Sequence, residues 1–444
     1  MANFCFKGHP RCIFVVMIMV LSIGIKGSVF AEKNDAQGRG QQWVQSHPFT
    51  INAIIDAPAD MEQYKAMGFT SVFAVVDPKK EAWTDALFGQ AAKMGLGWHW
   101  FYRWKPGKDD EAVKGSQFLY SRYKGCLGLS IGDENPEEEL QELGKALTKV
   151  RQVLPDTLVY CAMRGKDMVP EYTHKPELYL EYVDRVVSEV QPDVLMYDQY
   201  PFYRGGTAGT FYQNLAIIRE KALAAGVPYW NWLQGFAWTD GPFHEPSESE
   251  IRLQAYASLT YGFTGLSYWT YNSCYKPYSK SLLGPDGKPS GIGQSLAAML
   301  PELKVLGEVL KNLKSTGIYY CASRIYREGQ WLYTQPQGTV RWSEKADPRI
   351  TNVKVSDGPH GFLMGFFKDA DGREYLMLTN CNHAQNKNAM ETLGVITVYF
   401  NWKVSALEQL DCKTGSWVKV HLADHVLLHH TLPGGTGTLF RFVK

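Results

Sequence analysis

The chain has 444 residues, 45% of them hydrophobic and 20% charged, with 46 Lys and Arg against 45 Asp and Glu. That length exceeds one small domain and is enough for a barrel with an accessory unit. A formal net charge of +1 leaves no basic surface of the kind that binds nucleic acid or an anionic membrane.

Lys7 and Arg11 precede an apolar run from Cys12 to Leu21 that continues weakly to Ile25 and ends in small residues at Val29-Phe30-Ala31. This pattern predicts a secretory signal peptide over residues 1–31, because the run is short for a membrane span. The expectation is export to the periplasm or beyond, with no membrane attachment after cleavage. Removing the leader takes away three basic residues and no acidic one, so the mature chain carries a net charge of −2. Residues 32–48 read as a polar segment leading into the fold. Six of the eight cysteines remain, at spacings that match no zinc motif and too sparse for a disulfide scaffold. Export would permit pairing, but the sequence does not say which would pair.

From Phe49 onward short apolar runs alternate with amphipathic stretches, as βα units around a parallel sheet do. Eight strands are expected: Thr50–Ile55, Ser71–Val76, Gly97–Trp104, Gly125–Gly132, Leu158–Met163, Val194–Tyr200, Tyr229–Gln234 and Gly265–Thr270. Helices are expected between them, among them Glu81–Met94, Pro136–Val153, Pro176–Val190, Phe211–Ala225 and Ser249–Tyr261. Eight units in about 260 residues fit a (β/α)8 barrel over 49–314. The competing doubly wound sheet would carry a glycine-rich phosphate loop after its first strand, and none is present. A last helix, Gly291–Leu313, closes the barrel. Past Lys314 the period becomes two, with hairpin signals in "GFLMGFFKDADGREYLMLTN" and "ALEQLDCKTGSWVKV". Residues 315–444 are therefore expected to form an antiparallel β-sandwich.

Chemistry in such a barrel gathers where strands end and their loops begin. The stretch "LSIGDENPEEEL", Leu129–Leu140, places Asp133 and Glu134 at the fourth strand end. Asn135 is a suitable N-cap and Pro136 a suitable first helical residue. Glu137, Glu138 and Glu139 then fall in a first helical turn, where the helix dipole favours negative charge. Asp133 and Glu134 have no such structural reason and are candidate catalytic groups, together with Asp198 in "LMYDQYPFY" of the sixth strand.

Other strand ends supply candidate substrate contacts. Asp56, Asp77 and Arg164 follow the first, second and fifth strands. His99, Tyr102 and Trp104 lie on the third, Tyr197 and Tyr200 on the sixth, Asn231, Gln234 and Trp238 on or past the seventh, and Trp269 and Tyr271 on the eighth. Seven of the thirteen tryptophans lie on or just past strands three, seven and eight. Flat apolar faces at strand ends suit the C–H faces of a sugar ring, so a carbohydrate is the expected ligand. Cleaving a glycosidic bond needs one acid to protonate the departing oxygen and a second group to act as nucleophile, base or stabiliser. Glu134 is the expected general acid, raised toward the working pH by Asp133 beside it. Asp133 or Asp198 is the second carboxylate. No metal is expected, since His99 has no partner histidine at ligand spacing, and no other cofactor is indicated.

The "GDE" at the fourth strand end resembles the acid/base position of (β/α)8 glycoside hydrolases, where Asn-Glu or Asp-Glu pairs are common. Barrel and trailing sandwich together look like exported bacterial glycosidases of the β-galactosidase-like kind. That resemblance implies a nucleophilic glutamate at the end of strand seven, where this chain has Gln234. The Asp-Glu pair also resembles families that cleave N-acetylhexosaminides with the substrate's own acetamido oxygen as nucleophile. There the Asp orients the acetamido group and the Glu is acid/base. "LMYD" is similar to the Met-x-Tyr-Asp of chitinase-like barrels. The alternative, motivated by Gln234, is a non-catalytic carbohydrate-binding protein on a degenerate barrel.

Overall fold

A computed structural model describes residues 34–57, 59–272 and 278–443. The expected signal peptide and Cys274 lie outside the described residues. Among the described residues no helix is long and apolar enough to cross a membrane, and Cys126, Cys161, Cys321, Cys381 and Cys412 are free thiols.

Eight parallel strands close into a barrel: Thr50–Ile55, Ser71–Ala74, Gly97–Tyr102, Cys126–Asp133, Leu158–Met163, Leu195–Asp198, Tyr229–Gln234 and Gly265–Asn272, with the eighth pairing with the first. Period-two alternation sorts their side chains into two cores. Ile54, Phe73, Phe101, Tyr160, Met196, Trp230 and Trp232 fill the barrel interior. Ile51, Ala53, Val72, Trp98, Trp100, Leu129, Ile131, Leu195, Tyr197 and Leu233 join the layer under the helices. Large and small residues alternate inside: a Cβ on Gly128 would lie 2.6 Å from His99 Nδ1, and one on Gly265 2.6 Å from Trp230. The two glycines therefore make the room that His99 and Trp230 occupy.

The stretch read as a polar leader contains a helix, Asn34–Ser46. Its Trp43 and Val44 join the interior cluster, with Trp43 edge-on to Trp230 at 6.5 Å, so the helix stoppers the end of the barrel where the strands begin. Arg39 fastens it there through Asp193 and the Pro155 carbonyl. Two apolar positions one residue apart carry no helical period, which hid this element from the sequence pattern.

The C-terminal part holds a six-stranded antiparallel sheet in the order Lys314–Cys321, Phe362–Lys368, Glu374–Asn380, Gly437–Phe442, Ala406–Leu410, Trp417–His421. A three-stranded sheet of Ile350–Val355, Gly394–Phe400 and Val426–Leu432 packs on one face of it. The other face lies on the barrel. In strand Phe362–Lys368, Phe362, Met364 and Phe366 point into the sandwich, while Leu363 and Phe367 join the barrel's outer core. Helix Glu248–Tyr261 is caught between the two, with every residue from Ser249 to Tyr261 buried except Arg252. It starts at a capping box between Ser247 and Glu250 and stops at Gly262, whose φ of 93° suits glycine.

Contact across this junction leaves no spare volume. Thr260 Oγ1 and Thr379 Oγ1 hydrogen-bond at 2.7 Å, and a Cβ on Gly365 would meet the Thr260 carbonyl oxygen at 2.7 Å. Gly365→Ala is expected to cost about 1–3 kcal/mol by overpacking. Gly205→Ala, in open space, should be neutral, and denaturant titration of both variants checks the difference.

Candidate active site

The fourth strand ends in a turn that breaks its own alternation. Gly132 has φ 99° and Glu134 φ 51°, a left-handed conformation that is uncommon for a residue with a Cβ. Three neighbours hold the turn in place. Glu134 N–H donates to the Ala162 carbonyl at 2.9 Å, Arg164 Nε donates to the Glu134 carbonyl at 2.8 Å, and Asp133 N–H donates to Asn135 Oδ1 at 3.0 Å. Two consecutive side chains, Asp133 and Glu134, thereby face the same cavity, which a regular strand would forbid. Asn135 spends its amide on this turn and on Glu139, so it is not the helix N-cap expected from sequence. Pro136 is extended at ψ 164°. Glu137–Glu139 form a 3-10 turn, and the helix begins at Leu140. Glu137 and Glu139 take part in structural contacts with Tyr172 and Asn135.

The cavity, about 380 Å³, is lined by Phe101, Arg103, Asp133, Glu134, Asp167, Met168, Asp198, Gln199, Tyr200, Tyr203, Trp232, Trp238, Phe243 and Trp269. Asp198 follows the inward parity of Met196 on the sixth strand and is only 4% exposed. It lies beside the Glu134 carboxyl on the same cavity, close enough for each to shift the other's titration. Two such neighbours favour sharing a proton over both ionising. Asp198 Oδ1 is buried with no hydrogen-bond donor among the described residues. Burial raises both carboxyls above their ordinary range, that of Asp198 well above it, and the charge of Glu134 adds to the effect on Asp198. Asp133 is also raised by burial, offset by Arg103, whose Nε donates to Asp133 Oδ2 at 3.1 Å. Arg103 lies over the Phe101 ring, 5.4 Å from its centroid.

Of the expected substrate contacts, Tyr200, Trp238 and Trp269 line the cavity. Arg164 braces the Glu134 backbone. Asp56 stands at the end of the first strand with both carboxylate oxygens buried and unpartnered among the described residues. Burial pushes it up to about 6 against the pull of Arg103.

The remaining candidates do not reach the cavity. Asp77 is exposed and caps its own turn through Lys79 N–H. His99 lies inside the barrel against Tyr160 OH at 3.1 Å, held neutral by burial that pulls it down to about 3. Tyr102 packs on Trp100, and Trp104 is core, with its Nε1 on Asp109. Tyr197 points outward, Asn231 donates to Ser258, and Tyr271 packs on Tyr64 and Phe69.

Gln234 is fully buried, and its amide is consumed by backbone. Oε1 accepts from Phe202 N–H at 2.9 Å, and Nε2 faces the carbonyls of Phe202, Phe236 and His244 at 3.3, 3.2 and 3.0 Å. It ties together the loops after strands six and seven, which bear Tyr203 and Trp238.

Arg103, Asp167, Met168, Gln199, Tyr203, Trp232 and Phe243 were missed as site residues. Arg103 and Gln199 lie beside residues that were singled out, whereas Asp167 sits in a loop with no periodic signal. Among the described residues no group of three His, Cys, Asp or Glu side chains is placed to hold a metal ion.

No family model matches the chain, and no curated protein matches it. Similar solved structures include a GH5_18 protein of Streptomyces cattleya in complex with GlcNAc, at 15% identity over 58% of this chain and 81% of that one, TM-score 0.43. An endo-β-1,4-mannanase of Thermotoga petrophila aligns at 12% identity over 78% and 97%, TM-score 0.42. A GH27 β-L-arabinopyranosidase of Geobacillus stearothermophilus aligns at 12% over 91% and 98%, TM-score 0.47. These neighbours are glycoside hydrolases, and none is similar enough to carry an argument about this chain.

Two outcomes are expected. A glutamate at 234 would set a carboxylate oxygen against backbone carbonyls. Gln234→Glu should therefore cost about 3 kcal/mol of stability and confer no new glycosidase activity, as denaturation and an activity assay would show. The second concerns Asp198, whose folded pKa lies above its unfolded value. The folded state holds the proton more tightly, so stability is greatest below the ordinary value of 3.8 and falls as pH rises above it. Asp198→Asn removes that proton. Its melting temperature relative to wild type should climb as pH rises above 4 and level off once the folded-state carboxyl has ionised; a constant difference would mean that this carboxyl titrates normally.

Proposed function

We propose that this chain is an exported glycoside hydrolase whose general acid is Glu134. The observation that carries this reading is the Glu134–Asp198 carboxyl pair, held above the ordinary carboxylate range in a cavity walled by Tyr200, Trp232, Trp238 and Trp269. A carboxyl that burial makes hold its proton above the ordinary carboxylate range is suited to protonating a departing glycosidic oxygen. Glu134, half-buried, is the member of the pair that substrate can reach, whereas Asp198 lies behind it. As Glu134 gives up its proton, the protonated Asp198 donates its O–H to the carboxylate so formed, which favours the charged product state.

The same hydrogen bond bears on the second carboxylate. Groups flanking a scissile bond stand about 5–5.5 Å apart in retaining enzymes and about 6.5–9.5 Å apart in inverting ones. Two carboxyls that share a proton stand closer than either arrangement. Asp198 therefore sets the protonation of Glu134, and the group left to act on the sugar is Asp133, oriented by Arg103. With Gln234 consumed by backbone, this favours chemistry in which the substrate supplies its own nucleophile and Asp133 orients it. Export rests on the leader sequence described above.

Purified mature protein assayed on aryl glycosides and natural polysaccharides, with products resolved by mass, tests the class. Glu134→Gln should lower turnover of an unactivated glycoside by about 10²–10⁴-fold. A leaving group that departs without a proton should be affected much less in the glycosylation step. Full activity of Glu134→Gln on a natural substrate would remove Glu134 from the mechanism. Binding without hydrolysis in the wild type would make the chain a carbohydrate-binding protein.

A further inference from the structure

Asp167 and Gln199 line the same cavity, and the catalytic reading uses neither. Gln199 Nε2 lies 3.0 Å from both carboxylate oxygens of Asp167 and 3.0 Å from Thr210 Oγ1, and Asn214 Nδ2 donates to Asp167 Oδ1 at 3.1 Å. A carboxylate only accepts, so the Gln199 amide must turn its nitrogen toward Asp167 and its oxygen the other way. That oxygen is the telling atom. Gln199 is 5% exposed and lines the cavity, yet its Oε1 is buried with no donor among the described residues. An unpartnered buried acceptor costs about 1–3 kcal/mol unless something supplies a hydrogen.

Asp167 is fixed by neutral amides. No cationic side chain pairs with it among the described residues, and the neighbouring Lys166 ammonium is turned to Gln213 Oε1 at 2.8 Å. Around the whole cavity the charged lining residues are Asp133, Glu134, Asp167 and Asp198 against Arg103 alone, and Arg103 is occupied by Asp133.

We propose that Asp167 and Gln199 Oε1 form a hydroxyl-recognition site for an uncharged sugar ring, and that this site excludes uronates and sulfated sugars. The proposal rests on the glycoside-hydrolase reading for the location of the substrate, and it names the class that the cavity takes. Sugar hydroxyls supply the hydrogens that Gln199 Oε1 lacks. A carboxylate clamped by side-chain amides keeps its remaining lone pairs in fixed directions, so Asp167 itself needs no rearrangement. Gln199 Oε1, closed off in the free protein, is reached by a small turn of its side chain as the ring seats. A carboxylate or sulfate on the sugar would bring acceptors to a wall of acceptors and negative charge to a wall with no spare cation.

Binding measured calorimetrically in the Glu134→Gln protein tests this apart from hydrolysis. The probes are neutral gluco-, manno-, xylo-, galacto- and N-acetylglucosamine-based tetrasaccharides, with oligogalacturonate, oligomannuronate and a sulfated galactan oligosaccharide as anionic counterparts. At least one neutral probe should bind, and every anionic probe at least tenfold more weakly. Adding Asp167→Asn, which keeps one of the two acceptors that face Gln199 Nε2, should weaken the neutral probe at least tenfold. The melting temperature is read alongside to show that the protein stays folded at the assay temperature. Asp167→Glu should recover part of the loss. The proposal is overturned if no neutral probe binds, if an anionic probe binds as tightly as the best neutral one, or if Asp167→Asn leaves affinity unchanged. Hydrolysis of a uronate by the wild type would overturn it while leaving the catalytic reading intact. Asp167-dependent binding of a neutral probe that the wild type cannot cleave would do the reverse.

Discussion

Two carboxyl groups forced into contact, Glu134 against Asp198, are the constraint on which the site is organised. Neither can ionise freely: burial opposes both, the charge of Glu134 opposes Asp198, and that of Asp133 opposes Glu134. The contact exists only because a left-handed residue at the end of the fourth strand swings Glu134 toward the sixth. That conformation is held by backbone and side-chain partners from the fifth unit, Ala162 and Arg164, and by Tyr182, whose hydroxyl donates to the Asn135 carbonyl at 3.2 Å. The turn is thus fixed by a strand and a helix rather than by a loose loop, which sets both carboxyls in one place.

Gln234 shows the same economy from the other side. At the strand-seven end it neither faces ligand nor holds charge, yet the loops bearing Tyr203 and Trp238 converge on its amide. Its hydrogen bonds run to main chain, so its effect on the cavity is one of shape.

The barrel was legible because the parallel strands are apolar on both faces and separated by helices of regular length. The same property hid which side chains point inward. A strand buried on both sides shows no contrast to tell core-facing from helix-facing positions, so Tyr197, Asn231 and Tyr271 read as rim residues although they belong to the outer layer. Asp133 and Glu134 were legible for a different reason: adjacent acids directly before a helix start had no structural use. Trp104 illustrates the limit of composition, since a tryptophan past a strand end can as well pack on a neighbouring helix, here through Asp109. Asp167 needed the fold, because only the closure of the barrel brings its loop beside Gln199 and Asn214.

The helix Glu248–Tyr261 belongs at once to the barrel and to the six-stranded sheet, and it is buried on nearly all sides. An accessory domain on a flexible tether can sweep through solution and be exchanged between enzymes as a cassette. A domain that supplies one wall of a shared helix can do neither. Its outer surfaces keep a constant bearing on the mouth of the cavity, so anything they hold arrives in one orientation, and insertions or losses in the C-terminal region are felt by the barrel itself. In descent, the two parts would be inherited and altered together.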